Sequence, residues 1–339
     1  MSKRMGRQTV RLGFPPSIYK SYCIAGKKEG EGPLGAFFDE VNEDARFGED
    51  TWEKAESTLV KNTIYGLLEK SGLTEEEIDY IAAGDLLNQC SGSHFAIRSF
   101  GIPFFGLYGA CSTMAESMSV AAMLVDGGFA SKVIAATSSH FCASEKQYRF
   151  PLEYGGQRTP TAQWTVTGSG AVVIGKSSSP PYITHITTGK IIDKGITDPN
   201  NMGAAMAPAA ADTALMHFAD TGFSPEEYDL IITGDLGKTG SKLFNELLKK
   251  EGLDIEKRHM DCGAEIFDNS QDAHAGGSGC GCSAVTFCGK IMKELQDKKI
   301  NNVLFMATGA LMNPTSSLQG ESIPSIAHAL RITNSGGNV

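Results

Sequence analysis

The chain lacks several features that would have narrowed its function at once. It has no basic run: 30 Lys and Arg stand against 39 Asp and Glu, a net charge of -9, which argues against nucleic acid as a partner. No apolar segment of membrane-spanning length runs uninterrupted. The uncharged stretches 99–115 and 303–320 are broken by Gly, Pro and polar residues and read as core. Residues 1–11 are basic but lack the apolar region of a signal peptide, so the protein is expected to stay inside the cell. Its eight cysteines, Cys23, Cys90, Cys111, Cys142, Cys262, Cys280, Cys282 and Cys288, imply no disulfide framework and are expected as free thiols there. Cys280-Gly-Cys282 with Cys288 lacks a second pair or a His at finger-like spacing, so no metal site is expected.

What is present is an ordinary globular composition, 41% hydrophobic and 20% charged over 339 residues, enough for two modest domains or two halves sharing one core. The halves are written in the sequence. Residues 72–86 and 222–236 are identical at eight of fifteen positions at a constant offset of 150. Each copy opens with an amphipathic helix, 52–70 and 209–220, which Gly72 and Gly222 end. An acidic helix start follows, then a buried strand. Cys111 and Thr137 are 26 apart, as are Cys282 and Thr308. Between them each copy predicts a helix, 112–126 and 283–297, and an apolar strand, 133–137 and 303–308. The predicted unit is helix, strand, strand, helix, strand, which implies an α/β fold with helices on both sheet faces. Pro180-Pro181 falls where the first copy should end, and the boundary is set between 1–178 and 179–339.

Several residues are candidates for a site. Gly106-Leu-Tyr-Gly-Ala-Cys111-Ser112-Thr runs an apolar stretch through small residues into a helix. Helix N–H groups aimed at Cys111 would favour thiolate and bind anions, although a small buried hydrophobe is the commoner role for cysteine. Asp85, with its twin Asp235, should emerge at the carboxyl edge of the sheet, where α/β folds bind ligands, or else cap a loop. Thr137-Ser138-Ser139-His140 leaves the next strand at that edge with three hydroxyls and an imidazole. Ser169 lies in a Gly-rich turn, 167–174, that fits no nucleotide-binding pattern and brings backbone close to Cys111 for ligand or for packing. Arg149, in the aromatic loop 148–157, can pair bidentately with a carboxylate.

The runs 31–35 (Glu-Gly-Pro-Leu-Gly), 84–89 (Gly-Asp-Leu-Leu-Asn-Gln), 109–113 (Gly-Ala-Cys-Ser-Thr) and 136–140 (Ala-Thr-Ser-Ser-His) resemble the stage V sporulation protein AD family. So do 153–157 (Glu-Tyr-Gly-Gly-Gln), 206–213 (Met-Ala-Pro-Ala-Ala-Ala-Asp-Thr), 276–280 (Gly-Gly-Ser-Gly-Cys) and 321–324 (Glu-Ser-Ile-Pro). The resemblance covers nearly the whole chain. It implies a thiolase fold of two pseudo-symmetric α/β halves in α-β-α-β-α layers. It further implies a non-catalytic protein that binds dipicolinic acid (pyridine-2,6-dicarboxylic acid), free or as the calcium chelate, for uptake into the forespore and release on germination. Other membrane proteins of the stage V sporulation A group are the implied partners. The implied location is peripheral on the spore inner membrane, through those partners, in sporulating cells. Thiolase folds usually dimerise, so a homodimer is expected too. No cofactor is expected, calcium entering only with the ligand.

In the wider thiolase superfamily the nucleophilic Cys works with two polar residues of the second half. By pseudo-symmetry these should lie near Asp235 and Cys280, where this chain offers no imidazole, with His274 as a nearby substitute. Cys111 is therefore expected as a vestigial nucleophile lining a binding site with Asp85, Ser112, Ser138, Ser139, His140, Arg149 and Ser169. An acyl-transferring enzyme using Cys111 is the alternative.

Overall fold

The computed structural model describes residues 3–148, 158–177 and 179–335. Ten strands organise it: β1 (Ser17–Gly26), β2 (Tyr80–Gly84), β3 (Phe104–Gly106), β4 (Lys132–Ser139) and β5 (Gly168–Gly175), then β6 (Tyr182–Thr187), β7 (Leu230–Thr233), β8 (His259–Asp261), β9 (Asn302–Ala310) and β10 (Ser325–Thr333). Two short strands, Thr9–Arg11 and Glu40–Asn42, pair with β6 and β1. The first half is ordered β1-β5-β4-β2-β3 and the second β6-β10-β9-β7-β8, the same order written twice. The two join through a single antiparallel pair, Ser17 with Tyr182.

The helices divide by burial. α1 (Trp52–Ser71) and α2 (Ser91–Ile97) cover the outer face of the first half, and α5 (Met202–Thr221) and α6 (Gly237–Lys250) that of the second. Between the sheets lie α3 (Thr113–Asp126) and the helix 280–296, here α7, which passes through a π-turn at Phe287–Ile291. Met114, Met118, Val285 and Phe287 on these two helices belong to one apolar core with residues of both sheets. A helix buried on every side needs such an all-round apolar sequence. The result is the α-β-α-β-α layering.

The repeat is closer than the sequence suggests. α1 and α5 begin and end at the same offset of 150, and each closes on a left-handed glycine, Gly72 at φ 67° and Gly222 at φ 72°. The expected start of the second helix at residue 209 is seven residues late, because Pro208 lies inside it although proline favours a helix's first turn. The unit needs one correction. α2 separates β2 from β3, and α6 separates β7 from β8, so helices alternate with strands throughout and the pairs β2–β3, β2–β4, β7–β8 and β7–β9 are parallel.

Candidate functional site

Cys111 sits on a tight turn. After β3 the chain makes a 3-10 turn at Ala110–Ser112 and enters α3, with Ala110 at φ 50°, a left-handed conformation that costs a non-glycine residue about 1 kcal/mol or more. Gly309 of β9 closes over this turn. A Cβ there would stand 2.2 Å from Gly109 O and 3.3 Å from Cys111 N, so only glycine lets the second half seat so near. The helix start is not the open anion site expected. Ser112 N–H donates to Gly109 O at 3.0 Å, and the Ser112 hydroxyl bonds the same carbonyl at 2.7 Å.

The second half supplies the neighbours that pseudo-symmetry indicates. The Cys111 thiol lies beside the carboxylate of Asp235 and against Cys280. Asp235 also accepts from Gly279 N–H at 2.8 Å and from the Thr308 hydroxyl at 2.9 Å. Burial raises its carboxyl to about 7 in spite of those bonds, with the charge of Asp261 adding to the rise. Burial likewise pushes the Cys111 thiol well up, and the negative charge of Asp235 pushes it further. The usual route to a reactive cysteine, a neighbouring cation that stabilises thiolate, is replaced here by its opposite. The Cys280 thiol is also buried and donates to Ser138 O at 2.8 Å.

Beside Cys111 opens a cavity of about 370 Å³. Its lining is partly apolar, with Leu86, Ala110, Met202, Met206, Ala310 and Met312, and partly polar, with Ser144, Glu145, Arg158, Gln163, Thr165, Asn200 and Ser278. Tyr148 lies at the rim, its hydroxyl donating to Leu86 O at 2.7 Å and meeting Tyr108 at 3.2 Å. Arg158 is the cation lining the cavity among the described residues. Its guanidinium lies 4.6 Å from the centre of the Trp164 ring, donates to Gln163 O at 2.9 Å and meets Glu145 at 3.7 Å. Trp164 in turn stacks on Phe141 at 3.9 Å. Gln163 is locked in orientation: its amide nitrogen donates to Asp235 O at 2.8 Å and to Gly277 O at 2.6 Å. Neither carbonyl can donate, so Oε1 must point the other way, where it meets no partner among the described residues.

Of the candidate residues that are described, only Cys111 lines the cavity. Asp85 is fully buried and caps α2, accepting from Leu87 N–H at 2.9 Å and Ser93 N–H at 2.7 Å. Ser138 donates to buried Glu56 at 2.9 Å, and Ser139 donates to Val166 O at 2.7 Å while accepting from Gly281 N–H. Strand alternation explains both: adjacent residues of β4 face opposite sides of the sheet, not its edge. His140 bonds Ala45 O at 2.7 Å among Phe47 and Trp52, and burial lowers its pKa. The Ser169 hydroxyl is buried in β5 with no hydrogen-bond partner among the described residues. The glycines beside it serve packing, since a Cβ on Gly170 would stand 2.7 Å from Ala284 O. Arg149 lies outside the described residues. His274 pairs with Asp272 at 3.2 Å and does not line the cavity.

The lining residues Glu145, Arg158 and Gln163 are close in sequence but fit no motif, because partners distant in sequence fix their placement, Asp235 and Gly277 in the case of Gln163. The one available signal was Arg158, the next cation after the aromatic loop. Among the described residues no group of three or more His, Cys, Asp and Glu could hold a metal ion.

Comparisons agree with this architecture. The family model of stage V sporulation protein AD matches residues 6–333. Stage V sporulation protein AD of Bacillus subtilis (strain 168) is 46% identical over 335 residues, 99% of either chain. Among solved structures, human mitochondrial 3-ketoacyl-CoA thiolase superposes with a TM-score of 0.58 at 12% identity, over 96% of this chain and 100% of that one. For 3-oxoacyl-[acyl-carrier-protein] synthase III of Aquifex aeolicus VF5 the TM-score is 0.56 at 14% identity, over 94% and 99%. At such identities these two structures speak for the fold alone.

Proposed function

Because the chain belongs to the stage V sporulation protein AD family, and so is a sporulation protein on the thiolase fold, we propose that it uses the inherited cavity to bind dipicolinate rather than to make bonds. The observation that carries this reading is the pairing of Cys111 with Asp235. A thiol held protonated by burial beside a carboxylate is a poor nucleophile. None of the seven histidines lines the cavity to take its proton, and a positioned base contributes a factor of about 10² to 10⁴ to such chemistry.

The cavity suits a small planar acid. Its volume lies in the range of small-molecule sites, Arg158 offers a planar fork to a carboxylate, and Met202, Met206 and Met312 offer soft apolar surface to a ring. The bound form is free dipicolinate or its calcium chelate. The step served is uptake into the forespore, with release on germination, beside membrane proteins of the stage V sporulation A group at the spore inner membrane. Calorimetric titration tests this. Dipicolinate should bind the wild type, and Arg158→Gln should weaken binding about tenfold or more without loss of folded protein. Absence of heat with dipicolinate, with and without calcium, would sink the reading.

A further inference from the structure

The amino-terminal segment does not share the charge of the rest of the molecule. Residues 1–26 contain Lys3, Arg4, Arg7, Arg11 and Lys20 and no carboxylate, in a chain whose net charge is -9. Within this segment Phe14 is 76% exposed, and across the sheet Phe129 is 74% exposed. Single exposed aromatics are unremarkable. These two, however, are brought together by the sheet.

Ser17, Gly175 and Lys132 are paired in register across β1, β5 and β4. Phe14 and Phe129 each lie three residues before an end of this row. Two strand spacings, about 10 Å, therefore separate the loops that carry them. Phe14 N–H donates to Asp126 Oδ1 at 2.7 Å, fastening its loop to the end of α3 just before Phe129. Lys176, exposed, follows β5 between them.

Three of the acidic groups at this edge are engaged. Asp126 meets Lys3 at 2.6 Å, Glu77 meets Lys132 at 3.3 Å, and Asp79 accepts the backbone N–H groups of Ser131 and Lys132. Lys176 has no ion pair among the described residues, and Arg4 turns its guanidinium to the carbonyl of Arg7. Among the described residues no helix is long and apolar enough to cross a membrane.

We propose that this edge is a membrane-surface contact, in which Phe14 and Phe129 enter the interface of an anionic bilayer and the cations of the amino-terminal segment, with Lys176, face its headgroups. Exposed apolar side chains beside Lys and Arg are what interfacial binding requires. A stable protein partner needs about 800 Å² of complementary surface with an apolar centre, whereas these rings project singly from adjacent loops. The edge lies at the amino ends of β2 and β4, and the cavity at the carboxyl ends, so a docked molecule holds the cavity open to the aqueous side. This contact is independent of what the cavity binds.

The test is co-sedimentation of the full chain with vesicles of phosphatidylcholine alone and of phosphatidylcholine with about one-third phosphatidylglycerol. The wild type should sediment with the anionic vesicles, much less with the neutral ones, and be released by salt. The double variant Phe14→Ser and Phe129→Ser should lose about tenfold in binding with an unchanged melting temperature, since both rings stand in solvent. A wild type that ignores anionic vesicles, or a double variant that sediments as the wild type does, overturns the proposal. So does retention confined to protein-containing membranes, which would make the edge a protein-docking surface.

Discussion

Asp85 follows β2 as Asp235 follows β7, each after a glycine and before a leucine, and the two were copies of one residue in the repeat. In the first half the carboxylate turns to backbone: it caps α2 and lies near Glu56 of α1, a second buried acid whose burial and proximity to Asp85 push its pKa well up. In the second half it turns to the centre of the molecule, where it meets Cys111 and Thr308. At the place of Glu56, 150 residues on, α5 carries Met206, which lines the cavity. One copy of the acid is spent on holding its half together, and the other is spent on a site. The difference comes from what packs beside each copy rather than from the local pattern, which is the same.

If the comparison is sound, removing the first acid should cost stability above all. Asp85→Ala leaves the buried N–H groups of Leu87 and Ser93 without an acceptor, and loss of a buried hydrogen-bonded carboxylate of this kind costs about 2–4 kcal/mol. Urea denaturation should show it, with the folded protein keeping its affinity for whatever fills the cavity. An Asp85→Ala chain that unfolds like the wild type but no longer binds would reverse the roles given to the two acids.

The second acid should be visible in the pH dependence of stability. Its folded-state carboxyl titrates at about 7, against about 3.9 in an unfolded chain. Between those values the folded chain keeps a proton that the unfolded chain has released. Stability should thus fall as pH rises through that window and level off above it, by an amount on the order of 4 kcal/mol from this group alone. Asp261, at about 6, and Glu29, at about 7, act in the same direction, so the measurement is a difference. Asp235→Asn should lose ground against the wild type near pH 5 and gain on it near pH 8. Parallel stability curves for the two proteins would mean that Asp235 is already ionised in the fold.

The repeat carried most of this fold into the sequence, because an offset of 150 fixes α1 against α5 and β2 against β7 and leaves one topology to duplicate. Pseudo-symmetry also led to Asp235 and Cys280 as the neighbours of Cys111. The cavity walls were a different matter. Ser138 and Ser139 stand at a strand end in the sequence, but period-two alternation sends one toward α1 and the other toward α7, and neither reaches the edge. α2 went unseen because Gln89 and Cys90 lead into it at positive φ in place of an ordinary cap. Gln163 is held by carbonyls of Asp235 and Gly277, 72 and 114 residues away, and no local pattern encodes such a clamp.

The smallest expected effect is the most specific to Cys111. With Asp235 charged, ionising the thiol would set a thiolate against a carboxylate. With Asn there, the repulsion disappears while Oδ1 can still accept the thiol proton. Asp235→Asn should therefore lower the Cys111 pKa and speed its alkylation by iodoacetamide near pH 8, by several-fold to about tenfold for a change on the order of one pKa unit. Asp85→Asn should leave the rate as it is. Burial would keep even the faster thiol slower than a free cysteine, since desolvation is the larger part of its shift. Mass spectrometry of the Cys111 peptide over time reads the rate directly. A wild-type Cys111 that alkylates faster than free cysteine would show a stabilised thiolate, and with it the acyl-transfer chemistry of the thiolase fold would return as the better account of this site.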